Sequence, residues 1–353
     1  MGFSIFCKKN FSRKKVFSFH DISEYNEITY LSLTPNFLLP NVMLWIIPAV
    51  LGYFLNAVAS VIDKFLVVDR VEKPAVYAFL VSLFSLVSFV FAPFGLSMPP
   101  LSDFVLLLLS GASFLFSLVF LFSAFRNNEV SRIVPLVGIV AALVTFFPSF
   151  LAGWTDGEAS ISGVVAFFLL LSGAILLSFR FSENVRYAGN GFLLALLSGV
   201  FLACFNILLK IAYADGVNFV TGLVWSRLGI ILGGMLLLII PAFRDEIVEF
   251  FRRFLTASNR SSTSALFLAG KTLAGVGSLF LVLSVRTGPV AFVQAFIGVQ
   301  LAFVFLLALL LAKRYPKIFE ERFSFLDWIQ KAGAFALLSI GVWLASSDGA
   351  LLF

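Results

Sequence analysis

The sequence predicts an all-α polytopic membrane protein, with ten transmembrane helices arranged as two inverted five-helix repeats. Three observations carry that prediction. Of the 353 residues, 60% are hydrophobic and 12% charged, against roughly 25% charged in an ordinary soluble domain; mean hydropathy is +1.03. Apolar stretches follow one another from Val42 to Ser346, each near the roughly 20 residues a helix needs to cross a hydrocarbon core about 30 Å thick. The two halves of the chain also repeat one another's landmarks.

Spans are expected near 44–66, 75–95, 103–125, 131–152, 161–179, 191–213, 217–241, 264–285, 288–312 and 327–346. The first carries Gly52, Asn56 and Ser60 along one face and closes on Asp63-Lys64. The third closes on Ala124-Phe125-Arg126. The fourth contains Pro135, which either breaks the helix and frees a carbonyl or only kinks it. The sixth repeats the stripe of the first, with Gly199, Asn206 and Lys210 on one face. Trp45, Trp328 and Trp343 sit at span ends and read as interface anchors.

Outside the spans little chain remains. The longest connection, Ala242 to Thr263, has 22 residues and holds no soluble domain. Within it Ile247, Phe250, Phe251 and Phe254 fall at i, i+3, i+4 and i+7, with charges largely elsewhere, so an amphipathic helix is expected on the membrane surface. Residues 1–41 form a polar tail with five Lys and Arg among residues 8–15. It reads either as a disordered cytoplasmic arm or as the result of a miscalled start, with translation from Met43; both stand.

The odd-numbered connections hold fifteen Lys and Arg; the even-numbered ones hold Arg286 and, at an edge, Lys210, together with Asp103, Asp156, Glu158 and Asp215. The positive-inside rule then puts the odd connections in the cytoplasm and both termini outside. The basic tail argues the other way unless it is absent. The net charge of +6 is accounted for by loops facing anionic headgroups, so membrane lipids, and not nucleic acid, are the expected polyanionic partners.

The repeat is visible in particular residues. After the third span the chain turns at Arg126 and re-enters at Val130; after the eighth it turns at Arg286 and re-enters at Val290. From Lys64 to Arg126 is 62 residues and from Lys210 to Arg286 is 76, the extra 14 fitting within the longer seventh connection. The halves are bounded at 42–180 and 190–346. Each has five spans, an odd number, so the second copy enters the membrane inverted. That symmetry is a mark of secondary transporters, with the solute path between the repeats.

The five-plus-five layout, the Asp63-Lys64 span end and the stretch Ala-Phe-Arg-x-x-Glu-Val-Ser-Arg-x-x-Pro-Leu over 124–136 together resemble the EamA family of the drug/metabolite transporter superfamily. The resemblance covers about 42–346. It implies a ten-helix bundle, a central cavity formed by both halves, and movement of a small metabolite by alternating access. The basic connections here are the odd ones, the reverse of many relatives, so import and export both stay open.

A polar side chain at membrane depth usually faces a cavity or a partner, since a central Arg or Lys costs about 2.5–3.5 kcal/mol on insertion scales. Arg227, ten residues into the seventh span, is the strongest candidate for a substrate-binding residue; the alternative is an Arg satisfied by helix-end carbonyls. Lys271 follows, on one face with Gly275 and Ser278, where it either meets substrate or snorkels to the interface. Lys64 and Lys210, near span ends, read as snorkelling. Asn56 and Asn206 either line the cavity or bridge helices. Gln294 and Gln300 point about 240° apart on an ideal helix, so one of the two, Gln294, is taken as the candidate.

No span carries a central Asp or Glu. A proton-coupled exporter of organic cations needs a buried carboxylate, and the basic candidates instead suit an anionic or zwitterionic solute. The one histidine is His20, in the tail, and Cys7 and Cys204 stand apart, so no enzyme, catalytic residue, metal or cofactor is expected. The expected function is a secondary transporter of a small metabolite, such as an amino acid or organic anion, in the cytoplasmic (cell) membrane. The alternative is a flippase for an anionic lipid-linked molecule. A homodimer stays open.

Overall fold

The computed structural model describes residues 41–67, 73–125, 128, 130–151, 161–178, 189–256, 262–312, 314–315 and 325–348, with side chains left aside at 41–43, 63–67, 130–132, 149–151, 253–256, 262–267 and 347–348. Residues 1–40 of the tail, Arg126, and the side chains of Asp63, Lys64 and Phe254 lie outside that set. The described chain is all helix: α1 (Asn41–Val67), α2 (Pro74–Phe84) running on as a 3₁₀ helix (Ser85–Phe94), α3 (Leu101–Phe125), α4 (Val130–Leu151), α5 (Ile161–Ser178) and α6 (Gly191–Ala214). Then come α7 (Phe219–Ile239), α8 (Pro241–Thr256), α9 (Ser262–Thr287), α10 (Val290–Ala295), α11 (Ile297–Ala312) and α12 (Phe325–Asp348).

Among the described residues nine helices are long and apolar enough to cross a membrane, with Val290–Ala312 taken as one, and a shorter apolar helix runs over Ile133–Pro148 within α4. The protein is therefore built as a multi-pass membrane protein. Helix ends fall within three residues of those the sequence predicts. Pro135 does not break α4, which runs through it unbroken.

Two spans depart from a plain α-helix. The second half of the span starting at α2 is a ten-residue 3₁₀ helix containing Pro93, far longer than the three or four residues usual for that form. It ends at Gly95, whose φ of 111° needs glycine. The span of α10 and α11 is interrupted at Phe296, where Val299 donates to the Phe296 carbonyl three residues back at 2.9 Å. Non-helical backbone at membrane depth is tolerated where protein or a cavity surrounds it.

Helices meet through small residues, as bundles do when lipid is as apolar as leucine. α3 packs against α6 and α7, α9 against α1, α5 against α12, α4 against α6 and α10, and α11 against α1. A Cβ on Gly111 of α3 would lie 1.9 Å from the Ser226 carbonyl oxygen of α7, and one on Gly229 would lie 2.3 Å from the Leu108 carbonyl oxygen. On the other side, Gly52 and Gly277 bring α1 and α9 together: each Cβ would lie 2.8–2.9 Å from the other's carbonyl oxygen. Buried hydroxyls tie α3 to α6, Ser110 Oγ donating to the Phe205 carbonyl at 2.9 Å and Ser117 Oγ to the Ser198 carbonyl at 2.8 Å.

The amphipathic helix forms as α8, but it is not simply laid on lipid. Ile247 is buried among Ala75, Val76 and the flank of α7, with Phe250 and Phe251 packed alongside, and Lys73 Nζ reaches Glu249 Oε2 at 3.3 Å. Trp45 is also corrected. It is 7% exposed, packed on Gly288 and against Phe292 and Phe296, and so belongs to the core. Trp328 and Trp343 are exposed as anchors should be.

The start of α12 carries a polar cluster at i, i+3 and i+4: Asp327, Gln330 and Lys331 are all buried. Lys331 Nζ donates to the Leu177 carbonyl and Gln330 Nε2 to the Leu176 carbonyl at 2.8 Å. These are end carbonyls of α5, which lack partners in their own helix, and a cation there also meets the negative end of the dipole. Lys331→Met is expected to destabilise the folded protein by about 1–3 kcal/mol, the cost of orphaning a buried acceptor; a melting temperature unchanged from wild type would refute this.

Candidate functional site

Arg227 lies eight residues, about 12 Å of helical rise, into α7. That helix is anchored at its start by Asn218, whose Oδ1 accepts the Thr221 N–H at 2.8 Å. Two residues of the 3₁₀ exit and loop, Gly95 and Ser97, fasten the same end. Asn218 Nδ2 donates to the Gly95 carbonyl at 3.1 Å, the Ser97 N–H to Thr221 Oγ1 at 3.0 Å, and Trp225 Nε1 to the Ser97 carbonyl at 3.0 Å. Deeper in, the Gly111–Ser226 and Gly229–Leu108 backbone approaches flank Arg227 on either side. The guanidinium therefore projects from a helix fixed both above and below it.

Arg227 is 7% exposed. Its Nη2 donates to Ser278 Oγ of α9 at 2.6 Å, and among the described residues no carboxylate pairs with it. A guanidinium has five N–H donors, and this one spends a single donor on the protein. None of its nitrogens is a sealed, partnerless atom, so the donors it does not spend on the protein keep some access. The planar fork suits carboxylate or phosphate. Tyr213 of α6, buried, stands within electrostatic range of the guanidinium.

The other candidates distribute around this centre unequally. Asn56 lies in the α1–α9 seam, its Oδ1 3.0 Å from where a Gly277 Cβ would be, one residue from Ser278. Gln294 is 7% exposed, next to last in α10 before the break; its amide has no hydrogen-bond partner among the described residues and is not sealed. Gln300, past the break, is buried in the same manner, and the interruption at Phe296 voids the angle computed for an ideal helix. Asn206 is turned back on its own helix, Nδ2 donating to the Leu202 carbonyl at 2.9 Å.

Lys271 does not join Arg227. Its Nζ lies 4.3 Å over the Tyr77 ring, seven residues and about 10 Å of rise from Ser278 on the same face of α9. Between them, a Cβ on Gly275 would meet nothing within 4 Å. Lys210 does not snorkel freely: its Nζ donates to the carbonyls of Arg286 and Gly288 at 3.2 and 3.0 Å, closing the end of α9.

Three features were not expected. Ser278, by its spacing a small neighbour of Lys271, holds Arg227. The polar cluster of α12 was legible as Asp-x-x-Gln-Lys on one face. Asp103, counted as a loop acid, is buried by protein. Ser278→Ala is expected to lower uptake of any anion the protein carries by about tenfold, the value of one hydrogen bond to a charged group; unchanged uptake would remove Ser278 from the site.

No family model matches the chain, and no curated protein matches it. Among solved structures, one described as "Crystal structure of protein" superimposes on 88% of this chain and 98% of its own length, with a TM-score of 0.58 at 18% identity. At that identity the likeness is one of fold: a solved chain of almost the same extent shares this arrangement of helices.

Proposed function

We propose that the chain is a secondary transporter that moves a small anionic or zwitterionic metabolite across the cell membrane by alternating access, with Arg227 holding the negative group. The observation that carries this reading is the guanidinium itself. It is buried at membrane depth, bound only to Ser278, without a carboxylate among the described residues, and its unspent donors are not sealed off. A cation kept in that state at a cost of several kcal/mol is a site awaiting an anion.

The packing supports an EamA-like inverted repeat of ten spans, with α4, 22 residues long, as the tenth. Exchanging the halves turns the α3–α6 pair into α9–α1 and the α4–α6 pair into α11–α1, and returns α5–α12, α4–α10 and α2–α7 to themselves; all of these pairs pack. One exchanged pair is unequal. α3 and α7 touch backbone to backbone at Gly111 and Gly229, whereas α9 meets α2 at Lys271 over Tyr77 and is open at Gly275. A closed seam beside an open mate is the asymmetry that rocking of one repeat against the other requires. The closed side carries the Ser97, Asn218 and Trp225 bonds; by the positive-inside count it faces outward.

The test is counterflow in proteoliposomes with labelled glutamate, succinate and phosphate, a choline control, and a fluorescent anionic lipid. Exchange of at least one anion and not of choline is expected. Exchange of choline alone contradicts the reading. Movement of the lipid alone places the flippase first.

A further inference from the structure

Asp103 opens α3 in its first turn and is 4% exposed. Its carboxylate accepts one hydrogen bond, from the adjacent Ser102 Oγ at 3.3 Å. Among the described residues no Lys or Arg pairs with it, no backbone N–H caps it, and Oδ2, which has no partner, is not sealed. Burying a carboxylate costs several kcal/mol. The dipole at the start of its own helix returns about 0.3–1 kcal/mol, and a long hydroxyl contact adds little. The fold leaves this charge uncompensated, as it leaves Arg227 uncompensated.

The two charges stand on helices packed against each other. Asp103, Leu107 and Gly111 recur at i, i+4 and i+8 on α3; Leu107 and Gly111 are buried, and Gly111 rests on Ser226, the residue before Arg227. Asp103 to Gly111 is eight residues, about 12 Å of rise, so the acid stands above the guanidinium on the side tied shut by Ser97 and Asn218. The titratable and charged groups on the parts of the helices packed against this end of α3 are Lys210, Tyr213 and Asp215 at the end of α6, and Arg227 on α7. α2 and the segment from Ser85 to Pro100 carry no charged side chain. The Lys210 ammonium, on α6, is engaged with carbonyls at the end of α9.

We propose that Asp103 is the coupling site: it takes up a monovalent cation, a proton or sodium ion, that travels with the anion held at Arg227. This rests on the transporter reading. An anion entering alone against an inside-negative potential works against about 2.3 kcal/mol per charge per 100 mV. A cation bound at Asp103 neutralises the buried carboxylate while Arg227 offsets the cargo, and a monovalent anion and a monovalent cation that cross together move no net charge.

Two measurements on the full-length protein test it. In proteoliposomes, uptake of glutamate, succinate and phosphate is driven by an inward proton gradient in one arm and an inward sodium gradient in the other, and counterflow is run with no gradient. Asp103→Asn is expected to lose gradient-driven accumulation by tenfold or more while counterflow stays within about twofold, and Asp103→Glu is expected to recover part of the accumulation. Accumulation retained in Asp103→Asn overturns the proposal, and so does loss of accumulation and counterflow together in folded protein. In detergent, sodium chloride or acidification from pH 8 to 6, whichever drives uptake, is expected to raise the melting temperature of wild type more than that of Asp103→Asn. If wild type exchanges none of the anions, the transporter reading fails by itself. The melting measurement then decides Asp103 alone: an equal response to both cations in the variant refutes cation binding there.

Discussion

Replacing Arg227 with alanine is expected to abolish anion exchange while leaving a folded protein. The expectation follows from what the side chain does and does not touch. It makes one bond, to Ser278, so its removal orphans a serine hydroxyl on a half-buried face and no carboxylate. A bound anion, by contrast, would lose a charge-assisted and often bidentate partner. One such interaction is worth about 1.5–3 kcal/mol, or roughly 10- to 150-fold in affinity. Arg227→Lys keeps the charge without the planar fork and should fall between alanine and wild type. Equal exchange by wild type and Arg227→Ala would show that the guanidinium is structural.

The second large effect is on folding. Gly111→Ala places a methyl carbon 1.9 Å from the Ser226 carbonyl oxygen and 2.6 Å from the Ile230 nitrogen. Both are backbone atoms of a helix, so no rotamer change relieves the clash, and α3 and α7 must separate. Overpacking of this kind costs about 1–3 kcal/mol, and the shift displaces Ser226 and with it Arg227. A lower melting temperature and lost exchange are expected together. Gly275→Ala is the control: its methyl meets nothing within 4 Å, and its stability should match wild type. Similar losses in both variants would contradict the packing described here.

Much of the fold was legible because membrane depth leaves few options: an apolar run of the right length must be a helix with its own hydrogen bonds satisfied. Hence the helix ends, and even α8, follow from periodicity and length. What stayed hidden depends on neighbours. Nothing in the composition of residues 85–94 distinguishes a 3₁₀ helix from an α-helix, and the interruption at Phe296 has neither Gly nor Pro at the break. Trp45 looks like an anchor until Gly288 offers it a flat seat.

The site divides in the same way. Arg227 stands out in sequence because a mid-span charge is expensive. Ser278, Lys331 and Asp103 need the partner helix before their roles appear: one holds a guanidinium, one closes a helix end, and one is buried with the adjacent Ser102 hydroxyl as its one hydrogen-bond donor. Asn206 shows the reverse, a polar mid-span residue that spends one amide N–H on the turn preceding it.

The most direct test of the central claim is the melting temperature of the detergent-purified protein against graded glutamate, succinate and phosphate, in wild type and in Arg227→Ala. A ligand that binds only the folded state raises the melting temperature by mass action, by about 2.7 kcal/mol of stability at a hundredfold excess over Kd. Stabilisation of wild type by at least one of these anions, absent in Arg227→Ala, is the predicted result. Stabilisation by the same anion to the same extent in both would contradict an anion site at Arg227.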